Sequence, residues 1–330
     1  MLNARTMPSG KPDETTDLRA GFCAIVGLPN VGKSTLLNSI LGKRLVAVSP
    51  KPQTTRDRIV GIHTITLSGE TPGRAQIAYV DTPGVQDGRG PLRRYMRDAA
   101  IDAAAGADVV LLIVDATDKR GRLPARMAEA DVRGLRDASN AHPIVIALNK
   151  VDRLSRPELL PLMEQWGSFA PNTEVVPISA LRSENLEVLE RVVGVRLPIS
   201  PQLFPDDMIT DRSPRFIAQE IIREQLYHQL GKELPYACAV QIETWSENAG
   251  KQELTIGAVI VVERDSQKPI VVGRGGSRIR ELGIAARTAV ADALGYSEVH
   301  LSLFVKVIAE WSRGERDLAR LGYTNSGGDT

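Results

Sequence analysis

The sequence predicts an α/β chain in two parts: a doubly wound, mostly parallel sheet, then a smaller α+β domain. Three observations carry that expectation. Short apolar runs alternate with helical patterns from about Gly21 to Arg196, the signature of a parallel sheet flanked by helices. Pro198, Pro201, Pro205 and Pro214 then punctuate the chain as a linker would. Beyond them the order becomes helix, two strands, helix, loop, helix, strand, helix. At 330 residues the chain also exceeds what one core usually organises. The expected partition is a disordered extension over residues 1–20, a first domain over 21–196, a linker over 197–213 and a second domain with its tail over 214–330.

The first strand is expected over 22–26, where Phe22 to Val26 is continuously apolar. Strands at 59–66 and 75–80 are joined by Ser68-Gly69-Glu70-Thr71-Pro72-Gly73, turn chemistry that makes them an antiparallel hairpin at the sheet's edge. Runs at 108–115, 143–149 and 174–178 supply the remaining, parallel strands. In the second part, Ile217, Ile221, Ile222, Leu226 and Leu230 form the apolar stripe of a helix over 216–230, ended by Gly231. Cys238, Val240 and Ile242 alternate with Ala239, Gln241 and Glu243 as a strand, and Leu254 to Val262 reads as a buried one. Ile279, Leu282, Ala286, Val290 and Leu294 share a helix face, and Val299, Leu301, Leu303, Val305 and Val307 alternate as a last strand.

The chemistry lies at the strand ends. Gly27-Leu28-Pro29-Asn30-Val31-Gly32-Lys33-Ser34 follows the first strand and opens the helix beginning at Thr35, and it fits the phosphate-binding P-loop G-x-x-x-x-G-K-[ST]. Its glycines let backbone N–H groups curl around phosphate, the helix N-terminus adds favourable potential, Lys33 reaches the outer phosphates and Ser34 offers a hydroxyl to magnesium. Asp81-Thr82-Pro83-Gly84, Asn149-Lys150-Val151-Asp152 and Ser179-Ala180-Leu181 end three further strands, so the motifs converge where a parallel sheet binds its ligand. Asp152 can accept from both N1–H and the exocyclic amine of guanine, a pairing adenine cannot reproduce. In the polar stretch from Ser49 to Arg58, Thr54-Thr55-Arg56 reads as a mobile switch whose threonine closes onto magnesium and the γ-phosphate, Thr55 being preferred over Thr54.

The second motif is Val272-Gly273-Arg274-Gly275-Gly276-Ser277-Arg278-Ile279-Arg280. It matches the G-x-x-G loop of K-homology (KH) domains, which clamps a short run of single-stranded nucleotides by its backbone. Gly273, Gly275 and Gly276 allow close approach of phosphates, while Arg274, Arg278 and Arg280 supply positive potential. From Lys268 to Arg287 there are five basic residues against one acidic, Glu281. The surrounding element order resembles that of a prokaryotic, type II KH domain.

With both parts in place, residues 20 to 324 resemble the Era family of bacterial ribosome-assembly GTPases. The resemblance rests on Pro29-Asn30, Lys51-Pro52-Gln53-Thr54-Thr55-Arg56, Asp81-Thr82-Pro83-Gly84-Val85, Asn149-Lys150-Val151-Asp152, Ile209-Thr210-Asp211-Arg212, Glu233-Leu234-Pro235-Tyr236 and the KH loop. It implies a GTP/GDP switch with Mg2+, a C-terminal domain that binds the 3′ end of small-subunit ribosomal RNA, action in maturation of the 30S subunit, and peripheral membrane association. Lys33, Thr55, Gly84 and Asn30 are the expected catalytic set, Ser34, Thr55 and Asp81 the magnesium set, and the Gly84 amide the sensor of the γ-phosphate. In related GTPases an asparagine at the position of Asn30 helps bind K+. Val85 stands where other GTPases carry a water-orienting glutamine, so slow intrinsic turnover is expected. The rival readings are a P-loop kinase acting on a metabolite and an RNA-binding scaffold with an idle nucleotide site.

Composition narrows the setting. A formal net charge of +1 gives no global pull toward nucleic acid, so any basic site is local. Cys23 and Cys238 lack the spacing of a metal site or disulfide framework and are expected to pack in strands in a reducing cytosol. The four histidines, His63, His142, His228 and His300, form no metal-ligand pattern. No stretch has the length of a membrane helix and residues 1–20 lack a signal peptide's apolar core. A cytoplasmic monomer is expected.

Overall fold

The computed structural model describes residues 18–49, 51, 54–69, 71–82, 91–92, 95, 102–103, 105–118, 142–168, 173–231, 233–248 and 250–323. Pro52, Gln53, Pro83, Gly84 and Val85 lie outside them, as does most of the expected N-terminal extension.

The first domain runs β1 (Leu18–Val26), α1 (Lys33–Leu41), β2 (Ile59–Leu67), β3 (Gly73–Asp81), β4 (Val109–Asp115), β5 (Ile144–Asn149), α2 (Arg156–Gly167), β6 (Glu174–Pro177) and α3 (Leu186–Gly194). Its six strands lie in the order β2-β3-β1-β4-β5-β6, parallel except for the β2–β3 hairpin at one edge. β4 and β5 are apolar without alternation because both of their faces are covered, as in parallel sheets generally.

β1 begins earlier than its apolar run. Leu18, Arg19 and Ala20, assigned to the extension from sequence, pair with Arg74, Ala75 and Gln76 of β3. On the other side Ser200 N donates to Leu18 O, Ala20 N to Pro198 O, and Arg19 Nη1 to Leu197 O at 2.7 Å. The strand is therefore closed by a segment distant in sequence, which local polarity does not reveal.

The same segment corrects the expected linker. Residues 197–213 are packed: the Gln76 side chain, wholly buried, accepts from Leu203 N and Phe204 N and donates to Phe204 O at 2.8 Å. The Phe204 ring meets Phe22 edge-on. Farther along, Val60 N donates to Asp211 Oδ1 at 3.1 Å and Arg212 Nε to Arg58 O at 3.1 Å.

The second domain runs α4 (Pro214–Gln229), β7 (Cys238–Asn248), β8 (Glu253–Val262), α5 (Lys268–Val272), α6 (Ser277–Leu294), β9 (Glu298–Val307) and α7 (Glu315–Arg320). β7 and β8 are antiparallel and β8 and β9 parallel. α4 starts where Ser213 accepts from Phe216 N and Pro214 needs no N–H partner. It buries Ile217, Ala218, Ile221, Ile222 and Leu226, each large aliphatic side chain contributing about 1.5–3 kcal/mol. Ala239, expected to face outward, is buried because Trp311, Leu318, Leu321 and Tyr323 fold back across that face of the sheet. One continuous apolar cluster joins Leu45 and Val46 of the first domain to Ile217 and Ile221 of the second.

Both cysteines are buried and unpaired, and burial raises both thiol pKa values, so they remain neutral core groups. Among the described residues no helix is long and apolar enough to cross a membrane.

Candidate functional site

The nucleotide motifs meet at the carboxyl ends of β1, β3, β5 and β6. Gly32 has φ +106°, and a Cβ there would sit 2.3 Å from Asn149 Nδ2, so only glycine allows the P-loop and β5 loop to approach. Asn149 is the junction: Nδ2 donates to Val31 O at 2.8 Å, and Oδ1 accepts from Lys150 N and Ala180 N at 2.8 and 2.9 Å. Three loops are thereby locked by one 2 % exposed amide.

Ser179 Oγ donates to Asp152 Oδ1 at 2.7 Å and accepts from Arg182 N at 3.2 Å. Leu181, beside this pair, is 72 % exposed. Lys150 Nζ donates to Asp115 Oδ2 at 2.6 Å and to Asn30 O at 2.7 Å. Burial alone would raise the Asp115 pKa; Lys150 and Thr117 hold it below the ordinary value instead. Asp115 was missed in the sequence. The signal was available, since it ends β4 in register with Asn149.

At the phosphate end, Lys33 Nζ spans the loop to Gly27 O at 3.0 Å and Leu28 O at 3.1 Å. Burial lowers its pKa to about 8 against the opposing pull of Asp81; an anion in the loop would restore its charge. The hydroxyls of Ser34 and Thr55 lie 2.7 Å apart, and both donors reach Asp81 Oδ2, at 2.8 and 3.3 Å. Burial raises the Asp81 carboxyl pKa to about 6, and Lys33 lowers it less strongly. Its Oδ1 is buried with no hydrogen-bond partner. An orphaned carboxylate oxygen beside two convergent hydroxyls fits a hard divalent cation. Thr54 turns elsewhere, to Ser49 Oγ at 2.6 Å and Lys51 O at 2.8 Å. Asn30 stands exposed at the crest of the loop with φ +64°. Thr35 lines the same cleft; Gly84 falls outside the described residues.

A second candidate site lies in the other domain. Gly273, Gly275 and Gly276 all have positive φ, at 76°, 59° and 77°. A Cβ on Gly273 would come within 2.8 Å of Arg278 Cβ and N, whereas Gly275 and Gly276 face open space. Close packing thus demands the first glycine, and an accessible backbone is what the other two provide. α6 begins at Ser277 with no side-chain cap, leaving its N-terminal amides for an outside acceptor. Arg274 and Arg280 are exposed. Arg278 is half-buried and donates to Ile270 O, tying α6 to α5.

The unexpected residue is Arg56. Read as part of a mobile switch, it is 1 % exposed and surrounded by the second domain.

Comparison with known proteins finds relatives of both domains. The family model of the 50S ribosome-binding GTPase matches residues 22–150 and that of the KH domain residues 233–312. GTPase Era of Azotobacter vinelandii is 45% identical over 316 residues, 95% of this chain and 99% of that protein. GTPase Era of Geobacter metallireducens is 42% identical, over 93% of this chain and 98% of that protein. A crystal structure of an Aquifex aeolicus Era variant bound to GDP·AlF4− matches with a TM-score of 0.82 at 36% identity, covering 93% of this chain and 99% of that one. A structure of Era with MgGDPNP and nucleotides 1506–1542 of 16S ribosomal RNA matches with a TM-score of 0.82 at 35% identity over the same shares.

Proposed function

Because the chain belongs to the Era family of GTPases, we propose that it is a GTP-hydrolysing switch that binds the 3′ end of small-subunit ribosomal RNA and acts in maturation of the 30S subunit. The observation that carries this reading is the convergence of Ser34, Thr55 and Asp81 beside the Lys33 cradle. A structural loop would have no reason to hold two hydroxyls and a half-satisfied carboxylate there. The Era–16S RNA complex supports RNA as the ligand, and the open left-handed backbone at Gly275 and Gly276 supports the KH loop as its site.

Phosphoryl transfer from GTP to water is chiefly positioning and stabilisation of charge on the transferred oxygens. The P-loop amides from Asn30 to Thr35 and the Lys33 ammonium take the β- and γ-phosphates; Lys33 is already aimed by its two carbonyl contacts. Ser34 and Thr55 would hold Mg2+, with Asp81 reaching it through water. Bound there, the cation would supply positive charge to the phosphate oxygens. The Gly84 amide reports the γ-phosphate. Asp152, Asn149, Lys150, Ala180 and Leu181 hold guanine, and Ser179 aims Asp152. Val85 cannot orient water through a side-chain hydrogen bond, so basal hydrolysis is slow, and the exposed Asn30 supports K+ as one source of the missing positive charge.

Single-turnover hydrolysis of GTP, in potassium and in sodium at equal ionic strength, with and without a 3′-end fragment of the small-subunit RNA, tests this. Slow hydrolysis that both potassium and RNA accelerate is expected; no hydrolysis under any of these conditions would leave only an RNA-binding scaffold.

A further inference from the structure

Arg56 follows Thr55 directly, yet every group that holds it belongs to the C-terminal domain. Nη1 donates to Cys238 O at 2.9 Å and Tyr323 Oη at 3.3 Å; Nη2 donates to Tyr227 Oη at 3.0 Å, Tyr236 O at 3.1 Å and Pro235 O at 3.2 Å. The guanidinium carbon lies 5.7 to 6.0 Å from the ring centroids of Trp311, Tyr227 and Tyr323. Arginine alone presents a planar fork of donors with a face for aromatic rings, and none of these hydrogen-bond partners is a carboxylate. Among the described residues, the hydrogen bonds and ring contacts of the Arg56 guanidinium all run to the C-terminal domain and none to the P-loop.

Adjacent Cα atoms are about 3.8 Å apart, so the cage that seats Arg56 also anchors the backbone from which the Thr55 hydroxyl reaches Ser34 and Asp81. The flanking contacts run to the same body. Val48 N donates to Glu224 Oε1 at 3.1 Å, Arg44 Nε to Glu224 Oε2 at 3.0 Å, and Lys51 Nζ to Tyr227 O and Leu230 O at the end of α4. Asp57 Oδ1 accepts from Tyr95 Oη at 2.9 Å, and the Tyr95 ring meets Tyr323 edge-on.

We infer that Arg56 is a positioning residue of the GTPase site: seated in the Tyr227–Trp311–Tyr323 cage, it lets the C-terminal domain present Thr55 to the γ-phosphate and its metal. The inference rests on the nucleotide reading above. GDP has no γ-phosphate to meet Thr55, so the cage bears on the triphosphate state and little on the diphosphate. Linkage is reciprocal, and whatever unseats Arg56 weakens the triphosphate by the same factor that the triphosphate favours seating.

The test compares affinities of the full-length chain for GDP and for GDPNP with magnesium, in Arg56→Gln, Arg56→Lys and Tyr323→Phe. Arg56→Gln should weaken GDPNP at least tenfold and leave GDP within about twofold; Arg56→Lys should be intermediate. Tyr323→Phe removes one hydroxyl far from the nucleotide and should weaken GDPNP a few-fold, which keeps the test open should Arg56→Gln not fold. Exchange of GDP for GDPNP should change intrinsic fluorescence in the wild type, and the change should vanish in Trp311→Phe and Arg56→Gln. Equal losses for both nucleotides, or no loss for either, would overturn the inference. A wild-type chain that binds no guanine nucleotide would overturn the reading beneath it as well.

Discussion

Ser179 Oγ donates to Asp152 Oδ1 at 2.7 Å, and this bond decides which carboxylate atom is left for a base. Ser179 Oγ is itself oriented by Arg182 N at 3.2 Å, so it presents its hydrogen in one direction. In Asp152→Asn the same hydroxyl can be accepted only by the amide oxygen, which forces Nδ2 into the place of Oδ2. A donor then stands where the guanine amine needs an acceptor, and it matches the C2 oxygen of xanthine. GTP affinity should fall by about 1–3 kcal/mol for each hydrogen bond lost, while xanthosine triphosphate becomes the preferred ligand. Competition binding on the folded variant checks this; unchanged GTP affinity would contradict the base-recognition role.

The nucleotide motifs were legible because each is a short, contiguous run at the end of an apolar strand, where topology alone dictates convergence. Thr55 over Thr54 was legible only as a preference; in the fold the Thr55 hydroxyl turns to Ser34 and Asp81 and that of Thr54 to Ser49. Arg56 was not legible. A polar residue in a polar stretch reads as solvated, and its partners lie as far as Tyr323, with backbone carbonyls that no side-chain pattern encodes. The ordered start of β1 at Leu18 and the packed course of residues 197–213 were hidden for the same reason: each depends on hydrogen bonds to segments far away in sequence, from Arg74 to beyond Leu197. The KH loop was legible down to its glycines, although not the division of labour among them.

Away from both sites, His63 on β2 and Glu190 on α3 staple helix to sheet, Nδ1 to Oε1 at 2.6 Å. The bond from Glu190 raises the His63 pKa more than partial burial lowers it. A folded-state pKa above the unfolded value of about 6.5 gives stability that is fully present below pH 6.5 and lost as pH rises through the folded value. The denaturant stability of the wild type relative to His63→Gln should therefore be largest in mild acid and shrink toward pH 8. The imidazole is 37% exposed, so the difference is screened and salt-dependent. An NMR titration placing His63 at or below 6.5 would remove the basis for this expectation, and Glu190→Gln should bring it there.

The three glycines of the KH loop call for different substitutions. A side chain at Gly273 collides with Arg278 at 2.8 Å, so loss of RNA binding in a Gly273 variant would report only a broken turn. Gly276 is the informative position: its φ of 77° is left-handed, a region that aspartate tolerates better than most residues, and a Cβ there meets nothing within 4 Å. Gly276→Asp should therefore fold and still bind GTP, yet place a carboxylate where an RNA phosphate must approach the backbone. Binding to a single strand from the small-subunit RNA 3′ end should be abolished. Arg274→Ala and Arg280→Ala, both at exposed positions, should weaken binding less and flatten its dependence on salt, each phosphate contact contributing about 0.7 to the log–log slope for a single strand. Arg278→Ala should do more than either, because Arg278 also ties α6 to α5 through Ile270 O; its loss should lower thermal stability as well as affinity. Wild-type RNA affinity in a folded Gly276→Asp chain would show that the loop does not clamp RNA, whatever the arginines beside it do.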